Sequence, residues 1–148
     1  MIEEQKSVSF VCMANYCRSP VAKLLLKNKY GKLIKVDSAG LRPMLAAGMD
    51  PRSVDYLRQS NISYEIHNPK KIDKRFLNTS NIIFAMDTTI LMLLNKLYKG
   101  HRNKIKLFTH KHTDLNILDP YKLNREEYKK VMNDINFVVE NLVLEELE

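Results

Sequence analysis

Long apolar runs are missing from this sequence, and cysteines are scarce. No stretch approaches the roughly 20 apolar residues that a helix needs to cross a bilayer, and the polar start, MIEEQKS, is unlike a signal peptide. The two cysteines, Cys12 and Cys17, stand close together, whereas a disulfide scaffold uses more cysteines spread along the chain. We therefore expect a cytoplasmic protein that keeps its thiols reduced and has no membrane partner.

Charge of one sign predominates, with a formal net charge of +7. A basic balance can indicate a nucleic-acid partner, but the lysines are scattered and no nucleic-acid-binding module is recognisable, so we expect none. A basic surface also suits an enzyme whose substrates carry phosphate, because it steers anions toward the site. The length of 148 residues and the apolar content of 45% predict one domain over residues 1–148, which we expect to be mainly a monomer.

Short apolar runs alternate with amphipathic segments. The runs predict strands at residues 7–12, 34–38, 81–85 and 104–108. The remaining segments predict helices at residues 19–30, 51–59, 88–98 and 125–144, with a short helical turn at 73–77. This alternation predicts an α/β fold, in which a four-stranded parallel sheet is flanked by helices on both faces. Ligands bind such folds at the carboxyl ends of the strands, so we expect the chemistry in the loop after strand one.

That loop reads CMANYCRS over residues 12–19 and joins the first strand to a helix. Backbone N–H groups in a tight turn, together with a helix N-terminus, form an anion site. A thiol held at such a site should have a lowered pKa, which favours a nucleophilic thiolate at Cys12. Arg18 has the forked guanidinium that binds two phosphate oxygens at once. The spacing C-x5-R-S therefore predicts a phosphate loop for phosphoryl transfer to sulfur.

The segment VCMANYCRSPVA resembles the active-site signature of the low-molecular-weight protein tyrosine phosphatases. The resemblance continues through four further motifs in matching order and spacing, namely DSAG at 37–40, DPR at 50–52, MD at 86–87 and DPY at 119–121. It implies that Cys12 is the nucleophile, Arg18 the phosphate clamp and Asp119 the general acid and base. It also implies hydrolysis of phosphotyrosine monoesters on tyrosine-phosphorylated proteins through a phosphocysteine, without a cofactor or a metal.

The resemblance assigns supporting roles as well. Ser19 would bond the thiolate, Asn15 would hold the loop in shape, and Ser38 would be a partner of Asn15. His67 matches a buried supporting histidine of the family, with a solvated loop histidine as the alternative. The remaining phosphate-binding or leaving-group contacts would come from the loop positions and the DPY motif: Met13, Ala14, Tyr16, Cys17 and Tyr121.

Several positions depart from the family pattern. Ala14 stands where glycine is usual, and its methyl group could crowd the loop unless its φ is negative. Tyr16 stands where a small side chain is common. Met44 and Leu45 lie in a stretch that lacks the aromatic residue of the usual cleft wall. These changes concern the pocket wall rather than the catalytic set.

Three alternatives remain open. A phosphoarginine phosphatase of the same fold resembles a version with Thr at the position of Tyr16. A thiol-dependent arsenate reductase would need further cysteines, and none follows Cys17. A catalytically idle phosphate-binding module would keep the loop without turnover, although the intact Cys12, Arg18, Ser19 and Asp119 speak against such decay.

Overall fold

The computed structural model describes residues 5–64 and 66–147. In these residues, strands β1 to β4 are Lys6–Cys12, Ile34–Gly40, Ile82–Ala85 and Ile105–Leu107. Helices α1 to α5 are Ser19–Tyr30, Pro51–Gln59, Lys74–Thr79, Thr88–Leu97 and Arg125–Glu140. Short 3₁₀ turns follow at Gly31–Leu33, Lys99–Lys104 and Leu144–Leu147. No helix in the described part of the chain is long and apolar enough to cross a membrane.

The four strands form one parallel sheet in the order β2-β1-β3-β4, which confirms the predicted fold class. Strand β1 is central, and its Val8 pairs with Val36 on one side and with Ile82 on the other. The chain leaves β1 toward β2 and later returns to the opposite side of β1 as β3. The strand order therefore switches at β1, and its carboxyl end opens the crevice where α/β folds bind ligands.

Helices cover both faces of the sheet, as alternating side chains of β1 require. Val8 and Phe10 face a core built with α1, α2 and α5, whereas Val11 faces a second core built with α3 and α4. Side-chain caps begin four of the helices: the carboxylates or amide oxygens of Asp50, Asp73, Asp87 and Asn124 each accept from a backbone N–H of the first turn.

Several element ends differ from the sequence prediction, and two of the differences have a visible cause in the hydrogen bonds. Helix α5 ends at Glu140 rather than at residue 144, where the side-chain amide of Asn141 donates back to Phe137 O at 2.8 Å. Such a local side-chain bond offers the backbone an alternative to another helical turn. Strand β2 runs two residues further than predicted because Gly40 pairs with Cys12, which brings the second strand up to the phosphate loop.

Candidate active site

The loop between β1 and α1 turns its carbonyl groups outward. Each carbonyl of residues 12–18 accepts a hydrogen bond from outside the loop. In chain order the donors are the N–H groups of Leu41, Arg42 and Met44, His67 Nε2, the N–H of Asp50, Ser53 Oγ and the N–H of Ala22. The surrounding scaffold therefore fixes the orientation of every peptide group in the loop.

The N–H groups of residues 13–18 make no hydrogen bond to any described residue. Because their carbonyls are held outside, these donors are left for the concave side of the loop. Helix α1 begins at Ser19, with Pro20 in its first turn, and adds the positive end of its dipole to the same side. The loop is thus an anion-binding cradle whose donors are arranged before a ligand arrives.

Asn15 holds the loop at its sharpest bend. It is fully buried and has a φ of +51°, a left-handed conformation that asparagine tolerates better than most residues. Its side-chain amide donates to Ser19 Oγ at 2.8 Å and to Ser38 Oγ at 3.0 Å. Its side-chain carbonyl accepts from the N–H of Lys70 at 3.0 Å. The amide is therefore satisfied on both ends, which fixes the bend.

His67 supports the same bend from the backbone side. Its Nε2 lies 2.7 Å from Asn15 O, and since a carbonyl only accepts, Nε2 carries the proton. Burial lowers the pKa of His67, while the bond to Asn15 acts in the opposite direction. The half-buried, neutral ring lies at the phosphate loop, so the solvated alternative does not describe its position.

Cys12 lies at the end of β1, and its side chain opens onto the concave side of the loop. Its Sγ is 3.0 Å from Ser19 Oγ. Because Ser19 Oγ already accepts from Asn15, its own proton is free to point at the sulfur. A hydroxyl donated in this way stabilises a thiolate.

Arg18 is held by a residue that the sequence reasoning left without a role. One terminal nitrogen, NH1, donates to Asp87 Oδ2 at 2.6 Å and to Ile117 O at 2.8 Å. Burial lowers the pKa of Arg18, but the negative charges of Cys12 and Asp87 outweigh burial and raise it. Asp87 is itself fixed, because its other oxygen caps α4 at Ile90 N. The guanidinium is therefore oriented, and its other N–H groups make no bond to a described residue.

Cys12, Arg18 and Asp119 line one cavity of about 80 Å³. The other lining residues are Ala14, Tyr16, Cys17, Met44 and Tyr121. Asp119 is exposed, and its Oδ1 accepts from the N–H of Tyr121 at 3.2 Å. The rings of Tyr16 and Tyr121 meet edge to face, with centroids 6.1 Å apart. Leu45 does not line this cavity and is 70% exposed. Of the two residues in the stretch that lacks the usual aromatic wall residue, Met44 alone therefore lines the cavity.

Arg52 connects the phosphate loop to the segment that carries Asp119. Its guanidinium binds the Asp50 carboxylate through two nitrogens, at 2.9 and 3.1 Å. It also donates to Tyr121 O at 2.9 Å and to Leu123 O at 2.8 Å, and stacks on the Tyr128 ring at 4.0 Å. The sequence motif DPR marked Arg52, but only the fold shows which segment it ties down.

Gly40 is a further residue whose role the sequence did not reveal. A Cβ placed on Gly40 would lie 2.8 Å from Met13 O and 2.9 Å from Asn15 N, both backbone atoms of the phosphate loop. No side chain fits at that distance without moving the loop. The DSAG motif ends in glycine because β2 passes directly behind the loop.

Cys17 lies among buried polar groups next to the loop. Its Sγ donates to Asp50 Oδ2 at 3.8 Å, and the cysteine is 5% exposed. Burial raises the pKa of the Cys17 thiol to about 12, with a further contribution from Asp50. Cys17 is therefore a protonated thiol near neutral pH. No cluster of three or more potential metal ligands occurs among residues 5–64 and 66–147.

Comparison with known proteins matches the chain to one family along nearly its whole length. The family model for low molecular weight phosphotyrosine protein phosphatase matches residues 7–148. The low molecular weight protein-tyrosine-phosphatase Wzb of Escherichia coli K12 is 32% identical over 125 residues, which cover 84% of each chain.

Solved structures share the fold. The crystal structure of the Erwinia amylovora tyrosine phosphatase AmsI superposes with a TM-score of 0.86 at 26% identity, covering 93% of this chain and 90% of that one. The YwlE arginine phosphatase of Geobacillus stearothermophilus superposes with a TM-score of 0.84, covering 91% of this chain and 88% of that one. At 21% identity, the second likeness shows the fold alone.

Proposed function

Since the chain belongs to the low molecular weight phosphotyrosine protein phosphatase family, we propose that it hydrolyses phosphotyrosine monoesters through a phosphocysteine on Cys12. The observation that carries this mechanism is the loop whose carbonyls are all held outside, which leaves its N–H groups for the side lined by Cys12, Arg18 and Asp119. That arrangement is complementary to a transferring phosphoryl group, whose charge is spread over three oxygens.

The first step forms an S–P bond and breaks the P–O bond of the substrate. Cys12 Sγ attacks phosphorus while Arg18 and the loop amides bind the three non-bridging oxygens. Asp119, protonated, gives its proton to the departing phenolate oxygen. In the second step Asp119, now a carboxylate, takes a proton from a water that attacks phosphorus, and Cys12 leaves as thiolate with release of inorganic phosphate.

The aromatic side chains favour an aryl leaving group over phosphoarginine. Tyr16 and Tyr121 line the same cavity as Asp119 and make an edge-to-face pair. An aromatic ring of the substrate gains roughly 0.5–1.5 kcal/mol from such a contact beyond its buried area. Burial raises the pKa of Tyr16, with Asp50 adding to the rise, so its phenol is neutral at working pH and repels no phosphate.

The decisive experiment compares turnover of phosphotyrosine, phosphoserine and phosphoarginine peptides by wild type, Cys12→Ser and Arg18→Ala. We expect phosphotyrosine to be preferred and both variants to be nearly inactive, with circular dichroism unchanged. Lys130→Ala, on the exposed side of α5, is the matched control and should keep full activity. Phosphoarginine as the best substrate would establish the alternative specificity, and absent turnover of every aryl phosphate would establish an idle module.

We further propose that the protein acts in the cytoplasm on tyrosine-phosphorylated proteins, as a monomer and without a metal or a cofactor. Two free cysteines beside one catalytic cavity support a reducing compartment. Charge stabilisation by Arg18 and the loop amides accounts for the phosphoryl chemistry without a cation. Retention of full activity after dialysis against a chelator would test the last point.

A further inference from the structure

A long groove of about 1450 Å³ runs beside β2, the outermost strand on its side of the sheet. The end of α1 and the following turn form one wall, and α3 with the segment before it forms the other. The backbone of residues 34–37 lies between these walls. The groove shares no lining residue with the catalytic cavity, so a ligand in it would not compete with phosphate.

The edge of β2 presents backbone groups to this groove that no described residue pairs. At the top of β2, Gly40 N donates to Lys70 O and Gly40 O accepts from Ile72 N, both directed outward, whereas Leu41 N bonds inward to Cys12 O. Because successive peptide groups of a strand alternate in direction, Ile34 and Val36 also direct their N–H and C=O groups outward. Neither residue makes an outward hydrogen bond to a described residue.

The charges around this edge are predominantly positive. Six exposed cations line the groove: Lys27, Lys32, Lys35, Lys70, Lys71 and Arg75. The two acidic residues are already engaged, since Asp37 pairs with Lys70 at 2.7 Å and Asp73 caps α3 at Phe76 N. Among the described residues, Lys35, Lys71 and Arg75 take part in no ion pair. Within the part of the chain that the structure describes, the groove therefore combines uncompensated positive charge with a free strand edge.

We propose that this groove binds an extended acidic segment of the protein substrate, which adds as a strand to the edge of β2. An added strand supplies the N–H donors that the carbonyls of Ile34 and Val36 need. A nucleic-acid backbone offers phosphate acceptors but no such donors. Carboxylates of the segment would pair with Lys35, Lys71 and Arg75. The identity of the partner as substrate rests on the proposed function; the groove itself does not.

One lining residue of the groove also contacts the phosphate loop. Lys70, at its upper end, donates its backbone N–H to the side chain of Asn15 in the phosphate loop. A docked segment would therefore bring a nearby phosphotyrosine toward the cavity while leaving the cavity itself open. The expected benefit is a lower KM for protein substrates and no change for small aryl phosphates.

The test uses two phosphotyrosyl peptides with the same residues around the phosphotyrosine. One carries an alternating Val-Glu extension and the other an alternating Val-Lys extension. For wild type at low salt, kcat/KM should be at least tenfold higher for the acidic peptide. The double variant Lys35→Glu with Arg75→Glu should lose this preference. The double variant Lys99→Glu with Lys130→Glu, which changes the net charge equally elsewhere, should keep it.

A second variant tests the strand edge without changing charge. Val36→Pro removes one outward N–H, which an edge strand tolerates. It should lower kcat/KM for the acidic peptide at least threefold, while kcat/KM for p-nitrophenyl phosphate stays within twofold of wild type. If Val36→Pro fails to fold, the charge variants and the binding measurement below still decide the proposal.

Binding is measured separately from catalysis by fluorescence anisotropy of the unphosphorylated Val-Glu segment. It should bind wild type and not the Lys35→Glu, Arg75→Glu variant. Tighter binding of a single-stranded oligonucleotide of equal charge would overturn the peptide proposal. So would equal kcat/KM for the two peptides in an enzyme that hydrolyses p-nitrophenyl phosphate. If wild type hydrolyses neither the peptides nor p-nitrophenyl phosphate, that result would instead count against the proposed function.

Discussion

Replacing Arg52 by Met should slow the chemistry although Arg52 does not line the catalytic cavity. The side chain is 24% exposed and ties the backbone of Tyr121 and Leu123 to Asp50. Methionine keeps a similar length and some packing on Tyr128 but donates no hydrogen bond. The segment that carries Asp119 then loses its attachment to α2, so Asp119 spends less time in position to donate its proton.

The size of the effect follows from the bonds that are lost. A hydrogen bond to a charged group contributes about 1.5–3 kcal/mol, and partial exposure places these bonds at the lower limit. The two bonds to the carbonyls of Tyr121 and Leu123 therefore hold the segment by about 3 kcal/mol, which corresponds to roughly a hundredfold in population. General acid catalysis contributes about 10²–10⁴-fold. We expect kcat for a poor leaving group to fall about 10–100-fold.

The assay compares two substrates that differ in their need for the acid. Phenyl phosphate needs protonation of its leaving group, whereas an aryl phosphate with an acidic phenol needs little. Arg52→Met and Asp119→Asn should both slow phenyl phosphate much more than the acidic phenol ester. The double variant should be little slower than Asp119→Asn, because both changes remove the same contribution. Arg58→Met, on the same helix, is the matched control and should leave both rates unchanged.

Equal losses on both substrates would refute this reasoning, as would losses that multiply in the double variant. Either result would mean that Arg52 acts on the phosphate loop through Asp50 rather than on Asp119. Arg52→Lys separates charge from geometry, since lysine keeps the charge but not the fork that reaches Asp50 and two carbonyls together. It should recover only part of the lost rate.

Three further predictions concern the surroundings of the phosphate loop. Gly40→Ala places a Cβ against Met13 O at 2.8 Å, so it should weaken binding of inorganic phosphate at least tenfold by titration calorimetry; unchanged affinity would show that β2 shifts freely. Burial lowers the pKa of His67 below its usual 6.5, so His67 adds stability above pH 6.5 that is lost as pH falls through its folded-state pKa. Urea denaturation from pH 7.5 to 5 should show this loss in the free energy of unfolding of wild type and a smaller loss in His67→Gln. An equal pH dependence of the two free energies would contradict the prediction. Burial raises the pKa of Cys17 to about 12, so after peroxide treatment the rate at which Cys17 forms a disulfide with oxidised Cys12 should rise about tenfold per pH unit near neutrality. The activity of peroxide-treated Cys17→Ser should not recover with dithiothreitol, and full recovery would exclude Cys17 as the resolving thiol.

The sheet and the phosphate loop were predictable because their signals are local. Strand β1, the loop and the start of α1 occupy one continuous stretch, and the spacing from Cys12 to Arg18 is set by that stretch alone. The spacing of apolar residues and the length of each apolar segment likewise distinguish short buried strands from amphipathic helices. Asp119 lies about a hundred residues further on, and the reason for assigning it was the matching DPY motif rather than any spacing.

The residues that the sequence left without a role act across the fold. Asp87 holds Arg18 from 69 positions away, and Arg52 reaches Leu123 over 71 positions. The motifs MD and DPR marked these positions, yet a motif names a residue and not its partner. The sequence also did not show that the backbone N–H and C=O groups of Ile34 and Val36 point outward. That direction follows from the bonds of Gly40 to Lys70 and Ile72 on the outer side of β2.

Ala14 shows why a departure from the family pattern need not distort the loop. A positive φ favours glycine, but Ala14 does not have one; in this loop the positive φ falls on Asn15. The carbonyl of Ala14 bonds to the N–H of Met44 as part of the same outward series. Because Ala14 lines the cavity, its extra methyl group bears on the shape of the space offered to substrate. In the proposed mechanism the substitution is therefore a matter of specificity, and the anion cradle does not depend on it.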